Sequence, residues 1–187
     1  MAYKYETSNE LYNLFLSKQT GGDFNSSVLK IDSTNWRLPE YSNEPFAQYY
    51  HLHPSFLNYP VVNISYEAAI EFCKWLTEYY NNYPKRKYIK IEIRLPTSKE
   101  WDMLFSKIES KTKKKQTNDY VSSIDKYKNA YKFFNVLENV KEMTIIKGHA
   151  KGGDWKNGID ISNLDYQYKE ESSPFIGFRF FVDIVEK

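Results

Sequence analysis

Eight residues, Arg94-Leu95-Pro96-Thr97-Ser98-Lys99-Glu100-Trp101, bring a strand end, a rigid corner and a helix start into one stretch, and they restrict the fold more than any other part of the chain. Upstream, Tyr88-Ile89-Lys90-Ile91-Glu92-Ile93 alternates polar and apolar side chains as a half-buried strand does. Pro96 fixes its own φ and pushes Leu95 toward extended geometry, so the strand has to stop there. Thr97 then reads as a helix N-cap, and Glu100 is spaced to complete a capping box whose cap alone contributes about 1 kcal/mol. Trp101, Leu104, Phe105 and Ile108 recur at helical spacing and form one apolar face that must be buried.

The 187 residues suit one domain, 1–187, and a hydrophobic content of 41% is enough for a real core. An aromatic share of 18%, with 17 Tyr and 12 Phe, is high for a helical bundle and fits short strands joined by long, well-packed loops. Lys+Arg 26 against Asp+Glu 24 leaves a net charge of +2, so no nucleic-acid partner and no anionic membrane is expected. No run approaches the roughly eighteen apolar residues of a membrane span, and the start Met-Ala-Tyr-Lys-Tyr-Glu lacks the apolar run of a signal peptide. The chain reads as soluble: cytoplasmic if it is complete, periplasmic or at the cell surface if a signal segment has been removed. Its single cysteine, Cys73, excludes an internal disulfide and a Cys-rich metal cluster.

Along the chain, residues 7–17 predict a helix with a capping box from Thr7 to Glu10 and a face of Leu11, Leu14 and Phe15. Residues 23–59 are rich in Asn, Ser, Pro and aromatics without a period, which predicts an ordered loop carrying short extended pieces. Tyr59–Ile64 predicts a strand, and Ser65 caps a long helix with the face Ala69, Phe72, Cys73, Leu76 and Tyr80. Residues 109–128 are polar and lysine-rich and read as an exposed insertion. Strands are expected to dominate the remainder, which ends in Phe175 to Val185.

Four segments in order resemble the formylglycine-generating enzyme, or sulfatase-modifying factor, family, a variant of the C-type lectin fold. Tyr59-Pro-Val-Val-Asn-Ile-Ser-Tyr-Glu-Ala-Ala-Ile-Glu-Phe-Cys-Lys-Trp-Leu76 is similar to the family's P-V-x-x-V-S-W-x-x-A-x-x-Y-C-x-W-L, and Arg94–Trp101 to its R-L-P-T-E-A-E-W. Lys132–Met143 falls on G-L-Y-D-M-x-G-N-V-W-E-W. Lys151-Gly-Gly-Asp-Trp155 stands for R-G-G-S-W, and Gly177-Phe-Arg179 for the closing G-F-R. Around Tyr50–Pro54 and Asn58–Pro60 the chain looks most like the gliding-motility lipoproteins of Bacteroidetes, although it carries no lipobox cysteine. The resemblance implies an α+β fold of few helices packed on short strands with much ordered loop.

It also implies what is missing. Family members that oxidise a sulfatase cysteine bind copper with two cysteines shortly before the final G-F-R, whereas Ile161 to Ile176 here contains none. Copper(I) requires the soft thiolate, so formylglycine formation is not expected. Cys73, matching the helix cysteine of Y-C-x-W-L, reads as core rather than nucleophile.

The remaining candidates are few. The loop of Asn139, Val140 and Glu142 matches one that binds calcium in some relatives, with Glu138 in place of the motif's first glycine. Arg94, Trp101, Trp155 and Arg179 read as internal framework: tryptophans filling the core, arginines pairing with acids or carbonyls. His51 and His53 are weighed as metal ligands on one face of an extended segment, and His149 as a hydrogen-bonded histidine at a strand edge. Lys111, Lys113, Lys114 and Lys115 are candidates for touching an acidic partner. Together these predict a non-catalytic binding or scaffold domain that recognises a protein or glycan through its irregular loops, 23–58, 109–128 and 156–175. The alternatives are an enzyme of unrelated chemistry on the same fold and a retroelement-diversified ligand-binding protein varying near residues 156–176.

Overall fold

In the computed structural model of the protein, residues 1–19, 27–37, 44–109, 120–126, 132–158, 160, 163–169 and 172–187 are described. Helix α1 (Asn9–Lys18) starts one residue later than the Thr7 box predicts, because Ser8 is the cap and its Oγ accepts from the Leu11 amide at 3.2 Å. Thr7 stays extended and buried, donating its amide to Phe178 O at 2.9 Å and accepting from Val61 N at 2.8 Å. The shift turns the helix: Asn9, Tyr12 and Phe15 face inward, while Leu14 is 40% exposed.

Residues 23–58 do not form the expected extended pieces where they are described. They contain a 3-10 turn at Ser33–Trp36, helix α2 (Glu44–Tyr49) and a second 3-10 turn at Pro54–Phe56. Their aromatic rings decide the matter, since Trp36, Phe46, Tyr50, Phe56 and Tyr59 pack on one another with centroids 4.7–6.2 Å apart and tight turns bring them together. In Tyr59–Ile64 the residues from Pro60 onward are buried, but the segment makes a single bridge, Ser8 to Pro60, in place of a strand. Its amides are taken by irregular partners such as Ser173 O, 3.1 Å from Asn63 N.

Helix α3 (Tyr66–Asn81) begins at the Ser65 cap, as its sequence dictates, and buries Ala68, Ala69, Phe72 and Cys73 against α1. Strand β1 (Lys90–Arg94) buries Ile91 and Ile93 and exposes Lys90 and Glu92. One edge of β1 is covered by side chains of α3: Asn81 Oδ1 accepts from Ile91 N at 3.0 Å and Thr77 Oγ1 from Ile93 N at 2.9 Å. After Pro96, helix α4 (Ser98–Glu109) opens on the predicted capping box, with Thr97 N donating to Glu100 Oε2 at 2.9 Å and Glu100 N to Thr97 Oγ1 at 3.2 Å. Trp101, Leu104 and Phe105 are buried; the side chain of Ile108 lies outside the described ones.

Four short strands follow: β2 (Lys141–Met143), β3 (His149–Lys151), β4 (Asp165–Gln167) and β5 (Ile176–Gly177). They order as β4-β3-β2-β5, with only β2 and β5 parallel. Strand β6 (Phe181–Glu186) returns antiparallel to β1, placing Val182 opposite Ile93. Residues 2–7 run beside 178–181, with Ala2 bridged to Phe181. The architecture is α+β, few helices on short strands with much ordered loop.

The segment read as an insertion, 109–128, divides. Residue 109 ends α4, the cluster Lys111, Lys113, Lys114 and Lys115 lies outside the described residues, and 120–126 is built into the fold. Val121, Ser122 and Ile124 are buried, and Ile124 N donates to Asn58 O at 2.9 Å. Three apolar side chains at 120, 121 and 124 are too few to show a period, which is why composition alone missed them.

Candidate functional site

The residues singled out by motif converge inside the molecule. Glu142, 1% exposed on β2, receives Trp101 Nε1 at 2.9 Å and Arg179 Nη2 at 2.8 Å, so three of the four sequence segments meet on one carboxylate. Arg179 also donates to Phe134 O at 2.7 Å and Tyr3 O at 3.1 Å. Arg94 forks onto Glu100 at 2.8 Å and reaches Asp183 at 2.7 Å, holding the Glu100 carboxyl down at about 2. Trp155 is buried, stacks on Phe175 and donates to Pro174 O at 3.1 Å. Gly152, at φ +94, carries the chain past Trp101 where a Cβ would sit 3.1 Å from the indole. All four motif side chains are thus held by contacts within the molecule.

The calcium expectation meets a different arrangement. Both Glu142 oxygens are occupied by Arg179 and Trp101, Asn139 Oδ1 accepts from Ser122 N at 2.7 Å, and the Asn139 carbonyl accepts from Trp155 N at 2.7 Å. A cation at this loop would have to displace a buried guanidinium. His51 and His53 do not share a face: His51 is buried with Nδ1 3.1 Å from Asn9 Oδ1, and His53 is exposed and caps a 3-10 turn, accepting from Ser55 N. Burial pushes the His51 imidazole down to about 3. His149 lies on β3, between β2 and β4 rather than at an edge, 3.0 Å from Asp165.

The concave surface lies elsewhere. A groove of about 940 Å3 is built from four parts of the chain: the loop Ser27 to Asn35, the start of α3 at Ser65–Glu67, the β2–β3 turn at Lys147 and Gly148, and the residues Tyr168, Lys169 and Ser172. The Ser65 cap fixes two of them at once, accepting from Ala68 N and donating its own hydroxyl to Val28 O at 3.0 Å. Tyr66 ties the third by donating to Ile145 O at 2.6 Å, and Lys147 pairs with Glu67. Asn35 Nδ2 donates to Ser172 Oγ at 2.7 Å and closes the ring of contacts.

Two buried polar groups belong to this region. The Tyr168 hydroxyl is buried beside the Gly148 backbone, and burial first and then Tyr66 push the phenol up to about 12. Asn63, fully buried at φ +60, has its backbone tied to Asp32 and Ser173 and neither side-chain polar atom bonded. Unpaired buried polar groups cost about 1–3 kcal/mol each and concentrate at places a protein uses. No histidine or cysteine lines the groove; Cys73 is buried in the core and its thiol is pushed up to about 12. The loops 23–58 and 156–175 were legible as candidates, but Tyr66, Glu67 and Lys147 were not. The one signal for them was the Ser65 cap, which aims the start of α3 outward.

A comparison with curated protein sequences finds no match. Among solved structures, CarF superposes with a TM-score of 0.58 at 16% identity, covering 99% of this chain and 86% of that one. Treponema denticola variable protein 1 gives a TM-score of 0.59 at 15% identity, covering 96% of this chain and 82% of that one. At such identities the likeness is one of fold. The sulfatase-modifying factor enzyme 1-like domain matches residues 2–107, more than half of the chain. With the Arg94–Trp101 corner, the Ser65-capped helix and the Glu142–Arg179 pair in one frame, the chain belongs to the family of sulfatase-modifying factor enzyme 1-like domains.

Proposed function

We propose that the chain is a non-catalytic recognition domain that binds a protein or glycan partner in the groove between the Ser27–Asn35 loop, the start of α3 and the residues Tyr168, Lys169 and Ser172. The observation that carries this reading is the groove's lining: hydroxyl, amide and charged side chains from four parts of the chain, with the buried Tyr168 hydroxyl among them and, among the described residues, no thiol or imidazole. Such a surface offers directional hydrogen bonds and charge pairing through hydroxyl, carboxylate and ammonium groups. The loops are mounted on rigid elements, which keeps the donors in register.

A second reading has one observation in its favour. Tyr168, Lys169 and Ser172 lie within residues 156–176, the stretch where a diversified ligand-binding protein would vary, and Treponema denticola variable protein 1 shares the fold. Related chains differing mainly at these positions would support it.

The direct test is to screen the immobilised protein against a glycan array and a random peptide library. A ligand is expected whose binding weakens at least about tenfold in Asn35→Ala and Lys169→Glu and is unchanged in Lys87→Ala, outside the groove. Ligands indifferent to the groove substitutions, or chemically altered by the protein, would overturn the proposal.

A further inference from the structure

A second cavity, of about 360 Å3, shares no lining residue with the groove. Three of its lining side chains are carboxylates, Glu6, Glu10 and Asp125, and none is cationic. Tyr3 and Tyr5 form aromatic walls, fixed by stacking on Phe180 at 4.4 Å and on Phe134 at 4.7 Å, and Leu11 and Ile124 add apolar surface.

Glu6 is the unusual member. It is fully buried, and its Oε2 accepts from Asn135 Nδ2 at 2.9 Å and Asn139 Nδ2 at 2.8 Å, yet its Oε1 has no partner. The nearby Arg179 does not supply the missing charge, because its guanidinium is committed to Glu142 and two backbone carbonyls. A buried carboxyl oxygen without a donor is costly, and a donor brought by a ligand removes that cost. A bare metal ion does not fit: among the described residues no three acidic, histidine or cysteine side chains gather closely enough to hold one. Tyr3 and Tyr5 meet edge to face, with ring centroids 5.8 Å apart, and the complement of carboxylates beside such a tyrosine pair is a larger cation with several N–H donors and an apolar body.

We propose that this cavity binds an organic cation, a guanidinium or primary ammonium group, that pairs with Glu6 and packs beside Tyr3 and Tyr5, with Glu10 and Asp125 attracting it at the rim. Burial keeps Glu6 protonated up to about 8. Its charged neighbours are Arg179 and Glu142 on the interior side and Glu10 and Asp125 on the cavity side. Ion pairing requires the carboxylate, so binding at neutral pH releases a proton and affinity climbs as pH rises toward 8.

Isothermal titration with methylguanidinium and with the peptide Gly-Arg-Gly, in buffers of different ionisation enthalpy, reads both affinity and proton release. The expected result is saturable one-to-one binding with proton release that weakens at least about tenfold in Glu6→Gln, the loss that follows from one charge-assisted bond. Tighter binding of the peptide assigns the cation to a partner's arginine, and tighter binding of methylguanidinium assigns it to a free small amine. Absence of saturable binding at millimolar concentration, or binding unchanged by Glu6→Gln, would overturn the proposal. Should Glu6→Gln fail to fold, Asp125→Asn at the rim decides instead: severalfold weakening supports the site, and unchanged affinity rejects it.

Discussion

Arg179 and Glu142, both sealed from solvent, meet through Nη2 at 2.8 Å and Nε at 3.0 Å, and the Trp101 indole donates to the same carboxylate. The pair joins β2 to the G-F-R segment and α4, so three parts of the chain that are distant in sequence share one charge. Removing one partner leaves the other charged and unpaired in the interior. Glu142→Ala is expected to cost about 3–5 kcal/mol in urea unfolding, while the double variant Glu142→Ala/Arg179→Met costs less than the sum of its single changes. Additive losses would mean that the two residues act independently.

Trp101 contributes both volume and a donor. Trp101→Phe keeps a ring beside Phe105 but leaves Glu142 short of one N–H, an expected loss of about 1–2 kcal/mol, whereas Trp101→Ala empties the site and costs about 3–5 kcal/mol. Thermal melting measures both. An unchanged midpoint in Trp101→Ala would mean that α4 does not anchor the core.

Glu6 and His51 give stability opposite slopes with pH. Burial raises the Glu6 carboxyl from 4.5 to about 8, so its contribution is complete below 4.5 and is lost as pH climbs through about 8. Burial lowers the His51 imidazole from 6.5 to about 3, so its contribution is complete above 6.5 and is lost as pH falls toward about 3. Between 4.5 and 6.5 the two slopes oppose, and a plateau in melting temperature is expected there. Glu6→Gln should flatten the alkaline arm and leave the acid arm in place; an unaltered alkaline arm would show that another group produces it.

Local signals in the sequence were reliable where a few neighbouring residues decide the outcome. The alternation of Ile91 and Ile93, the Pro96 corner and the Thr97 and Ser65 caps all formed as their chemistry requires. Readings failed where distant residues decide. Residues 44–49 became a helix because Phe46 packs onto Trp36 and Tyr50, and no period announces such packing. The helix at Asn9 turned by one residue because Thr7 is needed beside Phe178 and Val61. The groove was least legible: Asn35 and Ser172 meet across 137 positions, and the burial of a hydroxyl such as that of Tyr168 is a property of packing rather than of spacing.

Formylglycine should not be produced. The one thiol of the chain is Cys73, buried in α3 with its thiolate disfavoured by burial, so no pair of soft ligands is available for copper(I). The protein incubated with copper and a sulfatase peptide containing C-x-P-x-R should leave the peptide mass unchanged. Conversion of the peptide thiol to aldehyde would overturn the non-catalytic reading.

The stretch between α4 and β2 should divide functionally as it divides structurally. Val121 packs with Val140 and Trp155, and Ser122 N is bonded to Asn139 Oδ1, so truncating this part reaches the frame around Glu142. Val121→Ala and Ile124→Ala are each expected to destabilise by about 1–3 kcal/mol, the range for losing buried methyl groups. Residues 110–119, with Lys111, Lys113, Lys114 and Lys115, show no apolar period in sequence. Replacing them by a Gly/Ser linker of equal length should change stability by no more than about 1 kcal/mol, because closure entropy depends only weakly on loop composition and length. If the four lysines steer an acidic partner, the same replacement slows association at low salt and has little effect at high salt, where screening removes the charge contribution. Denaturation midpoints and salt-dependent association rates, measured on the linker variant and on Ile124→Ala, separate the two roles: a linker that unfolds the protein would place 110–119 within the structural frame together with Val121 and Ile124.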